Sequence, residues 1–168
     1  NLENPGTLAF PTGMWPVFDG TDWHLFLVNR ITQSITRLDF GNSLLNAFVE
    51  TDLGNFGLLN SPRDIAIIRD CGNYYAYVTN EGNNTMTLLT FNASIATVPT
   101  AVNLGNFAGL NAPRYLTRYI RDKDNVFGFT TNSGDNSISR LEYNSCSAAA
   151  PPTSTLQTPP PVTYNSPG

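Results

Sequence analysis

Three near-copies of one pattern follow each other along the chain, and a repeat of that length constrains the whole fold before any single motif does. In the middle copy Tyr77-Val78-Thr79-Asn80 is followed by Glu81-Gly82-Asn83-Asn84 and then by Thr85-Met86-Thr87-Leu88-Leu89-Thr90-Phe91. Upstream the same pattern reads Phe26-Leu27-Val28-Asn29, a turn, and Ser34-Ile35-Thr36-Arg37-Leu38-Asp39-Phe40. Downstream it reads Phe129-Thr130-Thr131-Asn132, Ser133-Gly134-Asp135-Asn136 and Ser137-Ile138-Ser139-Arg140-Leu141-Glu142-Tyr143. Asn29, Asn80 and Asn132 are spaced by 51 and 52 residues, and Pro11, Pro62 and Pro113 by 51 each time.

Within a copy, alternation and turn residues predict four strands. A connector leads to the repeat proline, which pre-sets its own backbone angle and biases the residue before it towards extended geometry. First strands start near residues 13, 64 and 115 and end at turns such as Asp70-Cys71-Gly72-Asn73. Second strands run over 23–28, 74–79 and 126–131, apolar enough in the first copy to be covered on both faces. Third strands carry Ile35, Met86 and Ile138 at equivalent places. A fourth strand follows at 48–53 and 99–104, and Pro99 marks it as the outer edge. The third copy has one extra residue between Pro113 and Asp122, which predicts a bulge, and no fourth strand.

The fold class this implies is all-β: β-propeller blades of four strands and 51 residues, three in number, the last without its outer strand. Three blades do not close a ring. Leu2 stands in register with Leu53 and Leu104, so the chain reads as the final blades of a larger propeller. Residues 1–143 are the blades, and 144–168 a Pro/Thr/Ser-rich linker with the start of another domain.

The chain has 9 basic and 13 acidic residues and a net charge of −4, which argues against nucleic acid as a partner. No apolar run approaches the ~20 residues of a membrane helix. Cys71 and Cys146 are the two cysteines, and the expectation is that they are not paired, because a first-to-second-strand turn and the end of a third strand would lie on opposite rims or at different radii.

The Tyr77-Val78-Thr79-Asn80 strand with Gly82, Asn84 and Thr85 resembles the YVTN repeat of surface-layer-type propellers and is similar to the NHL repeat. The wider pattern, Leu53-Gly54-Asn55-Phe56-Gly57, Asn60-Ser61-Pro62 and Arg37-Leu38-Asp39-Phe40-Gly41-Asn42, resembles propeller blades of large secreted proteins of gliding bacteria, associated with type IX secretion and gliding-motility adhesins. Such blades are commonly followed by PKD domains, and residues 161–168 look like the opening strand of one. The resemblance implies a secreted protein of the bacterial cell surface whose partners are other domains of the same large protein and a polysaccharide or cell-surface protein.

Candidate chemistry is sparse. His24 is the single histidine, which excludes a multi-histidine metal site and is expected to be a packed or rim residue. Arg63, Asp64 and Arg114 follow the repeat prolines and are the candidate ligand-binding residues. Arginines gathered at one mouth of a channel suit an anion bound by paired hydrogen bonds. Against this, Arg63 and Asp64 can satisfy neighbouring blades or each other, and Thr12 interrupts the arginine series. Asp64 alone is too few carboxylates for calcium, which takes roughly 6–8 oxygens. Asn29, Asn80 and Asn132 recur in every copy, as a structural turn would and a catalytic site would not; each is expected to cap its own turn. Aromatics such as Trp15, Tyr74, Tyr77, Tyr115 and Tyr119 are expected to pack between blades. The reading is therefore a non-enzymatic surface or adhesin module with no metal and no cofactor. A lactonase-type propeller hydrolase or a passive spacer are the alternatives.

Overall fold

The computed structural model describes residues 6–122 and 125–144. The chain is all-β. The first sheet has the order β1 (Pro11–Phe18), β2 (Trp23–Asn29), β3 (Ser34–Gly41), β4 (Val49–Gly54), every neighbour antiparallel. The second repeats it with β5 (Pro62–Asp70), β6 (Asn73–Asn80), β7 (Thr85–Asn92) and β8 (Thr100–Gly105). In the third, β9 (Pro113–Leu116) and β10 (Ile120–Asp122) both pair with β11 (Asn125–Asn132), which pairs with β12 (Ser137–Asn144). The third sheet thus reaches four strands by splitting its first. Among the described residues no strand pairs with the far edge of β12. The linker and PKD-like segment expected at 144–168 lie, but for Asn144, outside the described residues.

The extra residue of the third copy is a bulge, as expected: Leu116 faces Thr130 and Ile120 faces Phe127, so 117–119 stand against two residues. The Thr117 N–H still donates to the Phe129 carbonyl (2.9 Å). Tyr119 turns inward onto Gly128, where an added Cβ would come within 2.5 Å of its ring. A further bulge sits at the start of each first strand: Pro11 faces Asn29 but Gly13 faces Val28, Pro62 faces Asn80 but Asp64 faces Thr79, and Pro113 faces Asn132 but Leu116 faces Thr130.

Sheets pack face to face because β6 alternates. Tyr74, Ala76 and Val78 point to one side and join Phe26, Val28 and Ile35 of the first sheet, with Phe26 edge-on to Phe91 at 5.4 Å. Tyr77 and Met86 point to the other and join Leu116, Tyr119, Leu141 and Tyr143 of the third. Tyr77 lies 4.5 Å from the Tyr143 ring and 4.9 Å from that of Tyr119. The aromatics are therefore packing residues as expected, Tyr115 being the exposed exception at 66%. First strands lie side by side, β1 against β5 and β5 against β9.

Each repeat asparagine is buried and reaches beyond its own turn. The Asn80 amide donates to Thr85 Oγ1 (3.3 Å) and Thr87 Oγ1 (3.0 Å), and its Oδ1 accepts the Asn60 N–H (3.1 Å). Asn29 does the same with Ser34, Thr36 and the Ala9 N–H, and Asn132 with Ser137, Ser139 and the Asn111 N–H. Each asparagine clamps the start of the third strand to the incoming connector. The connector bends sharply to meet it: Phe10, Ser61 and Ala112, which precede the prolines, have φ of 56°, 45° and 47°. This corrects the expected extended entry. Left-handed geometry costs energy there, and it is offset by ladder bonds from Arg30, Glu81 and Ser133 N–H to the carbonyls of those three residues.

Asn80→Ala leaves the Thr87 hydroxyl and the Asn60 N–H without this partner inside the fold, and is expected to lower stability by about 2–4 kcal/mol. Asn83→Ala, on the exposed part of the same turn, should change it by no more than ~0.5 kcal/mol. Urea unfolding of the two variants side by side checks this.

Candidate functional site

The bulges place Thr12 and Arg63 outside the ladder at the start of β1 and β5. Arg114 holds the equivalent place on β9. Thr12, Arg63, Arg114 and Tyr115 line one depression of about 90 Å³. Of the expected ligand-binding residues, Arg63 and Arg114 are brought together here, and Asp64 is not part of this lining.

Asp64 is instead a tie between sheets. Its Oδ2 accepts the Leu116 N–H of β9 (2.8 Å) and its Oδ1 the Ile65 N–H (2.9 Å), while Gly13 of β1 packs so closely that an added Cβ would stand 2.6 Å from the Asp64 Cα. Burial pushes this carboxyl above its ordinary value, and the N–H groups of Leu116 and Ile65 partly offset the shift. Both oxygens are thus engaged by peptide groups.

The residue that organises the arginines is Glu81, which the sequence reading did not single out. It follows Asn80 and binds Arg63 through Nη2 (2.6 Å) and Nε (2.7 Å), Arg114 through Nη2 (3.0 Å) and Nε (3.1 Å), and Arg30 through Nη2 (3.2 Å). Its side chain is 13% exposed, against 43% for Arg114 and 37% for Arg30. Burial alone would raise the Glu81 carboxyl. The Arg63 hydrogen bonds and the charges of Arg63, Arg114 and Arg30 outweigh it and hold the group below its ordinary range. A signal was present in the sequence: Arg30, Glu81 and Ser133 occupy the same place in successive copies, so the charge at this position changes sign from the first sheet to the second.

His24 is buried at 3% exposure, as the packed reading expects. Its Nδ1 lies 2.6 Å from Asp39 Oδ1 and its Nε2 3.3 Å from Asp19 Oδ2. Asp39 also accepts from Arg37 Nε (2.8 Å). With a carboxylate at each ring nitrogen, no nitrogen is left to activate a hydroxyl nucleophile. The Asp22 and Thr21 N–H groups, together with His24, hold Asp19 below its ordinary value. Among the described residues no group of three His, Cys, Asp or Glu side chains is arranged to hold a metal ion.

Cys71 is disulfide-bonded, which corrects the expectation of an unpaired thiol. The other cysteine, Cys146, lies outside the described residues. The geometric premise fails for a visible reason. Asn144 at the end of β12 stands opposite Asn125, so that end shares a rim with the β10–β11 turn. Arg121 on this rim reaches Asp70, the neighbour of Cys71, at 2.5 Å.

Comparison with protein-family models, curated proteins and solved structures found no match.

A carboxylate whose folded value is depressed contributes stability above its unfolded value, lost as pH falls through the folded one. Glu81→Gln should therefore lower stability at pH 7 by about 1–2 kcal/mol, discounted for the exposure of two of its three partners. The gap to the unsubstituted protein should close as pH drops below the ordinary glutamate value of 4.5. Thermal unfolding from pH 7 to pH 3 measures it.

Proposed function

We propose that the three sheets are blades of a β-propeller in a secreted bacterial surface protein, and that the module binds without catalysis. Its arginine-lined depression receives an anionic group of a polysaccharide or cell-surface protein. One observation carries the reading: among the described residues Arg30, Arg63 and Arg114 share Glu81 as their one ion-pair partner, which leaves local positive charge beside an open depression in a chain of net charge −4. Arg114 presents the more accessible guanidinium, suited to carboxylate or sulfate. Side-by-side first strands support the propeller reading, since these would line a central channel. The surface location, the tie to gliding motility and the neighbouring PKD-like domain belong to the same proposal and rest on the sequence resemblance.

A hydrolase is less well supported, because the groups it would need are engaged in the fold. His24 is held between two carboxylates, and Asp64 accepts two peptide N–H groups.

Titration with a uronic-acid polysaccharide should show binding that weakens on going from 50 mM to 500 mM salt, with none to neutral dextran. Arg114→Gln should weaken it by about tenfold, the loss of one charge-assisted contact. Equal binding of the neutral polymer, or an unaffected Arg114 variant, would defeat the proposal.

A further inference from the structure

Arg63 and Arg114 present the same edge to Glu81. Arg63 spends Nε (2.7 Å) and Nη2 (2.6 Å) on Oε2, and Arg114 spends Nε (3.1 Å) and Nη2 (3.0 Å) on Oε1. That edge is one on which a guanidinium takes a carboxylate through two parallel hydrogen bonds. Here two guanidiniums share one carboxylate, so each meets a single oxygen and neither makes the full two-oxygen pair. Arg30 adds a longer contact to Oε2 (3.2 Å).

The same two arginines line the depression with Thr12 and Tyr115, and Glu81 meets them from outside that lining. An anion seated in the depression and the Glu81 carboxylate would therefore flank one pair of guanidiniums from two sides. Like charges separated by the width of a guanidinium repel enough to change affinity by about tenfold at a partly wet surface. The turn itself does not demand a carboxylate. Ser133 holds the same place in the third copy, and its N–H donates to the Ala112 carbonyl (3.1 Å) as the Glu81 N–H donates to that of Ser61 (3.2 Å). What Glu81 adds to this shared backbone is a negative charge aimed at Arg63 and Arg114.

We infer that Glu81 is a built-in competitor of the anion site: it occupies paired donors of Arg63 and Arg114, and so limits how tightly the depression holds an anion. The inference rests on the proposed anion-binding role and deepens it by assigning the residue that regulates the site. One side chain then carries two opposed effects. Its charge stabilises the fold by joining Arg30 of the β2–β3 turn, Arg63 of β5 and Arg114 of β9, and the same charge costs affinity.

The test titrates the full chain with polygalacturonate. Glu81→Gln keeps an acceptor for the arginines and removes the charge. It should bind about tenfold more tightly than the parent although it unfolds at a lower temperature. A residue that only ordered the arginines would lose stability and affinity together. Glu81→Ser, with the side chain found at this place in the third copy, should also bind more tightly, and keeps the inference testable if the glutamine variant does not fold. Glu81→Asp retains the charge and should show no such gain. Adding Arg114→Gln to Glu81→Gln should cancel the gain, since it acts through that guanidinium. Binding by the parent with no gain in either uncharged variant, or with an equal gain in Glu81→Asp, overturns the inference and leaves the proposed function standing. No binding by the parent or by any variant overturns both.

Discussion

The buried asparagine at the end of each second strand fixes the geometry on which the rest depends. A buried amide must place both its donors and its acceptor, and an unmet partner costs about 1–3 kcal/mol. Asn80 meets this demand only if Thr85, Thr87 and the Asn60 N–H converge on it, which sets the register of β6 with β7 and the path of the connector. The ladder bonds from Glu81 and Gly82 to the Ser61 and Asn60 carbonyls then fix where Pro62 enters β5. Arg63 and Asp64 are positioned as a consequence. The same logic operates around Asn29 and Asn132.

Neighbouring side chains adapt to this junction in pairs. Asn60 lies so close to Gly82 that an added Cβ would stand 2.9 Å from its Cγ, and Asn111 blocks Gly134 at 2.7 Å. In the first copy the two residues change together: Ala9 replaces the asparagine, and Ile31 replaces the glycine and stays 68% exposed. The junction tolerates a large side chain on either partner but not on both.

The strands were legible in the sequence because their causes are local. Alternation sets which side chains enter the core, and the turns need Gly, Asn or Asp within a few residues. The Asn29, Asn80 and Asn132 positions announced themselves by spacing, though not the reach of their hydrogen bonds. What escaped depends on how sheets meet. The three-arginine environment of Glu81 draws residues from all three sheets. The bonding of Cys71 needed the rim on which β12 ends, and the inward turn of Tyr119 needed the space that Gly128 leaves. The left-handed residues before the prolines were hidden because the local bias opposes them and the ladder bonds that overcome it come from a turn some twenty residues later.

The repeat supplies a scaffold, and the chemistry sits where the copies differ. Thr12, Arg63 and Arg114 share one backbone position, as do Arg30, Glu81 and Ser133, so the backbone alone does not dictate their charge. Glu81 is the less exposed partner and its arginines the more exposed, which orders the guanidiniums without neutralising them. Salt confines the resulting field to about 8 Å at physiological ionic strength. The acidic chain as a whole therefore does not attract anions from a distance. In the proposed binding role, selectivity would therefore come from groups that touch the depression, where planar guanidiniums distinguish a carboxylate or sulfate from a hydroxyl by geometry as well as charge.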